Sequence, residues 1–211
     1  SINADDVIDS IGSDTKLITI THMSNVLGSV VDVEKICKIA RNKQIVTLID
    51  GSQSIVHMPI NVSELCCDFF VFTGHKLYGP SASGAIYINQ NRFDEMEPFL
   101  GGGSMINFVG KDNITYNKAP HKFEAGTPAI IPIIGLGAAI DFVLSIGQEN
   151  IVEYENRLIN YAKDRLYNLD FLNFQGISTD KGGIFSFTMK ENKLHPHDIA
   201  TIVDQNGVAV R

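Results

Sequence analysis

Two side chains at the ends of apolar runs carry the clearest chemistry in this sequence. Lys76 stands in Thr73-Gly74-His75-Lys76-Leu77-Tyr78-Gly79-Pro80, a small and polar stretch directly after Asp68-Phe69-Phe70-Val71-Phe72. Such a run reads as a buried strand, and an ammonium held at its end loses hydration unless it is paired or covalently engaged. Asp50 closes a second run, Gln44-Ile45-Val46-Thr47-Leu48-Ile49-Asp50, and Gly51 follows at once. In open α/β sheets, ligands gather at the carboxyl ends of the strands. An amine there can condense with an aldehyde, and a carboxylate there can keep a pyridine nitrogen protonated. Together they match what pyridoxal 5′-phosphate requires. Taken singly, each residue has an ordinary reading, Asp50 as a helix cap and Lys76 as a surface lysine beyond a strand.

The surrounding motifs narrow the choice. Asp50-Gly51-Ser52-Gln53-Ser54 followed by Thr73-Gly74-His75-Lys76 resembles the class V aminotransferase group of fold-type I pyridoxal-phosphate enzymes. Thr21-His22-Met23-Ser24-Asn25-Val26-Leu27-Gly28, Gly101-Gly102-Gly103-Ser104-Met105-Ile106 and Phe123-Glu124-Ala125-Gly126-Thr127-Pro128 resemble, more narrowly, the SUF-type cysteine desulfurases, relatives of selenocysteine lyase. The resemblance extends over nearly the whole chain. It implies that Lys76 forms the Schiff base, that Asp50 meets the pyridine nitrogen and that Gln53 reaches the cofactor's ring oxygen. It also implies that Thr73 and His75 reach the phosphate, and that Asn25 belongs to the active site through its amide. Thr127 is implied at the phosphate of a partner subunit's cofactor, which makes the expected assembly a homodimer.

The activity implied is conversion of L-cysteine to L-alanine. The sulfur is left as an enzyme-bound persulfide and passed to a sulfur-acceptor protein of the SUF pathway for iron–sulfur cluster assembly. Another class V aminotransferase or a selenocysteine lyase would use the same Asp50 and Lys76. A catalytically dead remnant acting as a binding module is a reading of a different class. In the family, the sulfur-accepting cysteine and an arginine that grips the substrate carboxylate lie beyond the segment matching Val208 to Arg211. A ring-stacking histidine and a further phosphate-binding threonine precede the part matching Ser1. The expectation is an internal portion of the enzyme, inactive alone.

The elements that must position these residues are legible as alternating strands and helices. Ser1 to Asp14 reads as the tail of a helix that began earlier, and Lys16 to Thr21 as a short buried strand. Asp32 to Asn42 carries Val33, Ile36, Cys37, Ile39 and Ala40 at helical spacing, with Asp32 as N-cap. Strand, helix and strand imply a mainly parallel sheet, to which Ala85-Ile86-Tyr87-Ile88 adds an antiparallel strand. Gly101 to Lys122 has little periodicity and reads as a functional loop. Ile130 to Ser145 is an apolar helix in which Gly135 and Gly137 allow close packing. Asn150 to Leu169 is a helix whose stripe of Ile151, Tyr154, Leu158, Tyr161, Ala162, Arg165 and Leu166 reads as core. Ile184 to Met189 alternates like a strand, Pro196 to Asn206 is a helix stopped by Gly207, and Val208 to Arg211 starts another strand. The expected fold is α/β: a mainly parallel sheet with helices on both faces, over residues 1–145. Residues 146–211 supply a connecting helix and part of a smaller α+β C-terminal domain.

Composition limits the alternatives. The chain has 211 residues, 44% hydrophobic and 19% charged, which is ordinary for a globular protein with a substantial core. A net charge of −7 argues against nucleic acid as a partner. No stretch reaches membrane-spanning length and no signal pattern opens the sequence, so the expected location is the cytoplasm without membrane association. The three cysteines, Cys37, Cys66 and Cys67, form neither a disulfide framework nor a metal motif and are expected to be reduced and structural.

Overall fold

The computed structural model describes residues 2–176, 178, 180–191 and 194–211. Strands β1 (Leu17–Thr21), β2 (Val46–Asp50), β3 (Phe69–Thr73) and β4 (Gly84–Ile88) form a four-stranded sheet in that order. The β1–β2 and β2–β3 pairs are parallel, and β4 returns antiparallel to β3. Helices flank both faces of this mixed sheet, and the expected α/β architecture holds. Helix α1 (Ala4–Asp9) does not continue from an earlier turn, because the Asn3 side chain caps it by accepting from the Asp5 amide.

Helix α2 (Val33–Asn42) forms where the sequence puts it. The Asp32 carboxylate accepts from the Lys35 amide, and Val33, Ile36, Cys37 and Ala40 recur on one face and are buried. They pack with Ile18, Ile45, Ile49, Cys67 and Phe70 into the main core, which α1 and the short α3 (Val62–Leu65) close. At the amino ends of β2 and β3 a polar clasp sets the register. The Asp68 carboxylate accepts from Thr47 N at 2.9 Å, from Thr47 Oγ1 at 3.2 Å and from Arg92 Nε at 2.7 Å, while Asp68 N donates to Thr47 Oγ1 at 3.1 Å.

The stretch from Gly101 to Lys122 is not a structureless loop. It contains the antiparallel hairpin of β5 (Ile106–Val109) and β6 (Ile114–Tyr116), closed by a bond from Gly110 N to Asn113 O of 2.8 Å. The hairpin's side chains are mostly exposed, so burial left no alternating pattern to read in the sequence.

Helix α4 (Ile130–Ile146) packs through Leu136 and Val143 on a second core with Val56 and Leu77. Gly135 permits this approach, since a Cβ there would lie 2.5 Å from Pro80 Cγ, whereas Gly137 faces open space and packs against nothing. Gly147, at φ 87°, breaks the chain between α4 and α5 (Gln148–Leu166). Among the described residues no single helix is long and apolar enough to cross a membrane, and only α4 and α5 together, bent by 72°, match such a span by length and composition.

The face of α5 that turns inward differs from the one read in the sequence. Ile159 is buried, with Val152 and Glu155 beside it in the wall of a cleft, while Tyr154, Leu158 and Tyr161 are exposed. A helix with apolar residues on two sides gives no sequence signal for which side finds a partner. After α5, β7 (Leu172–Gln175) pairs antiparallel with β8 (Ser186–Met189), and α6 (Pro196–Gln205) follows. β7 was not anticipated. Val208 to Arg211 forms no strand, because no neighbouring strand among the described residues offers it a ladder.

Candidate functional site

The register of the parallel strands places the candidate residues. Thr21, Asp50 and Val71 form one rung across β1, β2 and β3. Strands lie about 4.8 Å apart with roughly 3.3 Å per residue along each. Asp50 on β2 therefore neighbours β3 laterally, and Thr73 lies two residues beyond the shared rung on the same face. The half-buried Asp50 carboxylate accepts from Ser52 N at 2.9 Å through Oδ1, turning the chain sharply off the strand. Gly51 makes that turn possible against the core: a Cβ on it would lie 1.9 Å from Phe70 Cζ.

Beyond β3 the chain tightens into a 3-10 turn, Gly74–Leu77. Thr73 Oγ1 and His75 Nδ1 are 2.7 Å apart, so the hydroxyl and the imidazole share one hydrogen bond and stand side by side. Gly74 is buried beneath them, and a Cβ there would lie 2.0 Å from Ser83 Oγ. Lys76 sits on this turn and not at the strand end itself. It is half-buried, so burial deprives it of less water than the sequence implies, and it makes no hydrogen bond or ion pair among the described residues.

Gln53, three residues past Asp50, places its Nε2 3.1 Å from His57 Nε2. On the β1 side, His22 N donates to Asp50 O at 2.9 Å. The His22 ring is buried with Nδ1 unpartnered among the described residues, and burial pushes its pKa below the usual 6.5 despite the opposing pull of Asp32. Asn25 lies three residues on, exposed in a compact loop whose Ser24 hydroxyl accepts from Leu27 N at 3.0 Å. That loop is tied to the C-terminal part of the chain, with Gly182 N donating to Gly28 O at 2.8 Å and Lys181 Nζ to Leu27 O at 2.9 Å. Burial, then the nearby Lys163, lowers the Lys181 pKa.

Thus Asp50, Gln53, Thr73, His75 and Lys76 come together on the carboxyl ends of β2 and β3. Asn25 stands at the neighbouring end of β1. Thr127 belongs to a separate exposed loop before α4, where Gly126 N donates to Gly103 O at 2.9 Å and joins the Gly101 and Phe123 motifs. Among the described residues no group of three or more histidine, cysteine or acidic side chains is arranged to hold a metal ion.

The class V aminotransferase family model matches residues 1–211. This chain belongs to the class V aminotransferase family. A "Probable cysteine desulfurase" of Halalkalibacterium halodurans is 44% identical over 211 residues, covering 100% of this chain and 51% of that protein. The apo structure of cysteine desulfurase from Thermococcus onnurineus NA1 superposes with a TM-score of 0.87 at 37% identity, covering 93% of this chain and 49% of that one. A C-DES mutant with glycine covalently linked to its PLP cofactor superposes at 0.86 with 25% identity, covering 99% of this chain and 56% of that one. The chain spans about half the length of the relatives it matches.

Two side chains near the cluster were not singled out from the sequence. His22 lies within the Thr21 to Gly28 motif but has no role read for it there, and its buried nitrogen, unpartnered among the described residues, is visible only in three dimensions. His57 was read as the start of a connection. Its partner Glu155 is 98 residues away, a separation that no local pattern bridges. Cys37 and Cys67 are buried, with burial pushing their thiols up to about 11 and about 12, and Cys66 is half-buried as the left-handed cap of α3.

Proposed function

We propose that the protein containing this chain is a pyridoxal-phosphate-dependent cysteine desulfurase. One observation carries the reading: adjacent parallel strands bring an amine with no partner among the described residues, a carboxylate and a hydroxyl–imidazole pair to one edge of the sheet. The chemistry of this donor set fits the cofactor. Lys76 would hold its aldehyde carbon, Asp50 would keep its pyridine nitrogen protonated, Thr73 and His75 would donate to its phosphate, and Gln53 would donate to its ring oxygen. When bound, the cofactor supplies an electron sink that weakens the substrate's bond to sulfur. Lys76 would also move protons at the substrate's α-carbon.

The relatives named as cysteine desulfurases support L-cysteine as substrate and alanine with persulfide sulfur as products. The narrower reading has the sulfur pass to a SUF-pathway acceptor for iron–sulfur cluster assembly, in a homodimer where Thr127 serves the partner subunit's cofactor. It rests on the Thr21, Gly101 and Phe123 motifs. In the same reading, residues 1–145 belong to the cofactor-binding domain, residues 146–211 lead into a smaller one, and the chain alone is inactive. Borohydride reduction of the cofactor-loaded protein followed by peptide mapping is the test. The label is expected on Lys76, and label on another lysine, or none, overturns the assignment. Release of alanine from cysteine separates a desulfurase from other class V enzymes.

A further inference from the structure

His57 has both ring nitrogens engaged, each by a different element. Nδ1 lies 3.0 and 2.9 Å from the two carboxylate oxygens of Glu155 on α5, and Nε2 lies 3.1 Å from Gln53 Nε2. The side chains of His57 and Glu155 are only 23% and 26% exposed, so the pair is largely shielded from water. Gln53 and His57 share the turn that follows β2, in which Ile55 N donates to Gly51 O at 3.0 Å and Met58 N to Ser54 O at 3.1 Å. His57, Glu155, Lys163, Asp180 and Lys181 line one open cleft of about 410 Å³ between this turn, α5 and the segment at Gly182.

We propose that His57 and Glu155 are positioning residues that aim the Gln53 amide at the cofactor edge. A carboxylate against Nδ1 requires Nδ1 to carry the proton. In the neutral ring Nε2 then presents its lone pair, and only a donor can face it. That donor is an amide N–H of Gln53, which directs the NH2 group to His57 and leaves its second N–H free for the ring oxygen. Without the histidine, the Gln53 amide loses the contact that fixes which of its ends faces that oxygen. The chain Glu155–His57–Gln53 thus links α5, far along the sequence, to the edge where Asp50 sits. This inference rests on the cofactor reading above for what Gln53 meets, but not for the relay itself.

Two measurements on the intact protein test it. Nitrogen-15 NMR of the ring, with or without cofactor, is expected to show neutral His57 protonated on Nδ1. Glu155→Gln should move it toward the Nε2-protonated tautomer, and Gln53→Ala should return Nε2 to the shift of an unbonded nitrogen. In the cofactor-loaded protein, the pH midpoint of the cofactor's visible absorbance should shift in one direction by about half a unit to one unit in Gln53→Ala and in His57→Phe, the scale of one hydrogen bond. The double variant should shift it no further. His57→Gln serves where the phenylalanine variant folds poorly. Wild-type His57 protonated on Nε2 overturns the relay, as does a midpoint that responds to Gln53 and ignores His57. If borohydride fixes no cofactor on wild-type Lys76, the cofactor reading falls instead, and the nitrogen shifts alone decide the relay.

Discussion

Replacing Gly51 with alanine tests how tightly the Asp50 turn is seated on the core. The added Cβ would stand 1.9, 2.4 and 2.7 Å from Phe70 Cζ, Cε1 and Cε2. Comfortable carbon contacts lie at about 3.5–4.0 Å, so the ring and the turn must separate by roughly 1.5–2 Å. Phe70 is 2% exposed and packs in the main core, which leaves it no free direction of retreat. The Gly51 backbone is outside the left-handed region, so alanine suffers no conformational strain and the clash is the whole effect. Overpacking of this kind costs about 1–3 kcal/mol. Urea denaturation followed by circular dichroism should show that loss in Gly51→Ala, together with weaker cofactor binding because Asp50 is displaced with the turn. Phe70→Leu, which costs about 1 kcal/mol alone, removes the obstacle, so the double variant should be little worse than Phe70→Leu. Effects that add to within about 0.5 kcal/mol, or a neutral Gly51→Ala, refute the argument.

Asp50→Asn should leave cofactor bound while turnover falls far more than occupancy, since the amide keeps the Ser52 contact but cannot hold a proton on the pyridine nitrogen. Absorbance-based occupancy and alanine release compare the two. His22 is held below its usual 6.5 by burial, so the unfolded chain binds more protons in acid; stability should be full above pH 6.5 and decline as pH falls below it. Denaturation midpoints of His22→Gln should lose that part of the slope. Alkylation should reach Cys66 first, because burial keeps Cys37 and Cys67 protonated with pKa values of about 11 and about 12; mass spectrometry of a timed reaction reads the order.

The sheet and α2 were legible because their residues meet one large partner surface. Val33, Ile36, Cys37 and Ala40 repeat on a single helix face, and β2 and β3 carry runs that the core covers, whereas β1, expected to be buried, sends only Ile18 and Ile20 inward and leaves Leu17, Thr19 and Thr21 exposed. Asp50 was visible as the polar residue closing its run and Lys76 as the lysine just beyond the next, and the motif order supplied the rest of the cluster. What stayed hidden depends on tertiary contact. The exposed hairpin β5–β6 leaves no burial period, and α5 presents apolar side chains on both sides while only the Ile159 side meets the fold. The Glu155–His57 pair joins residues 98 positions apart, which no local spacing relates.

The Asp68 clasp decides, from the opposite end of the strands, whether the site exists at all. A slip of one residue between β2 and β3 would turn Asp50 and Thr73 to opposite faces of the sheet, and the clasp offers hydrogen-bond partners only in the native alignment. Asp68, Thr47 and Arg92 thus act as a proofreading step on strand pairing. Lesions there would lower the yield of correctly assembled molecules while leaving each survivor fully competent. A screen for lost activity would recover them beside Lys76, and normalising activity to folded protein would tell the two groups apart.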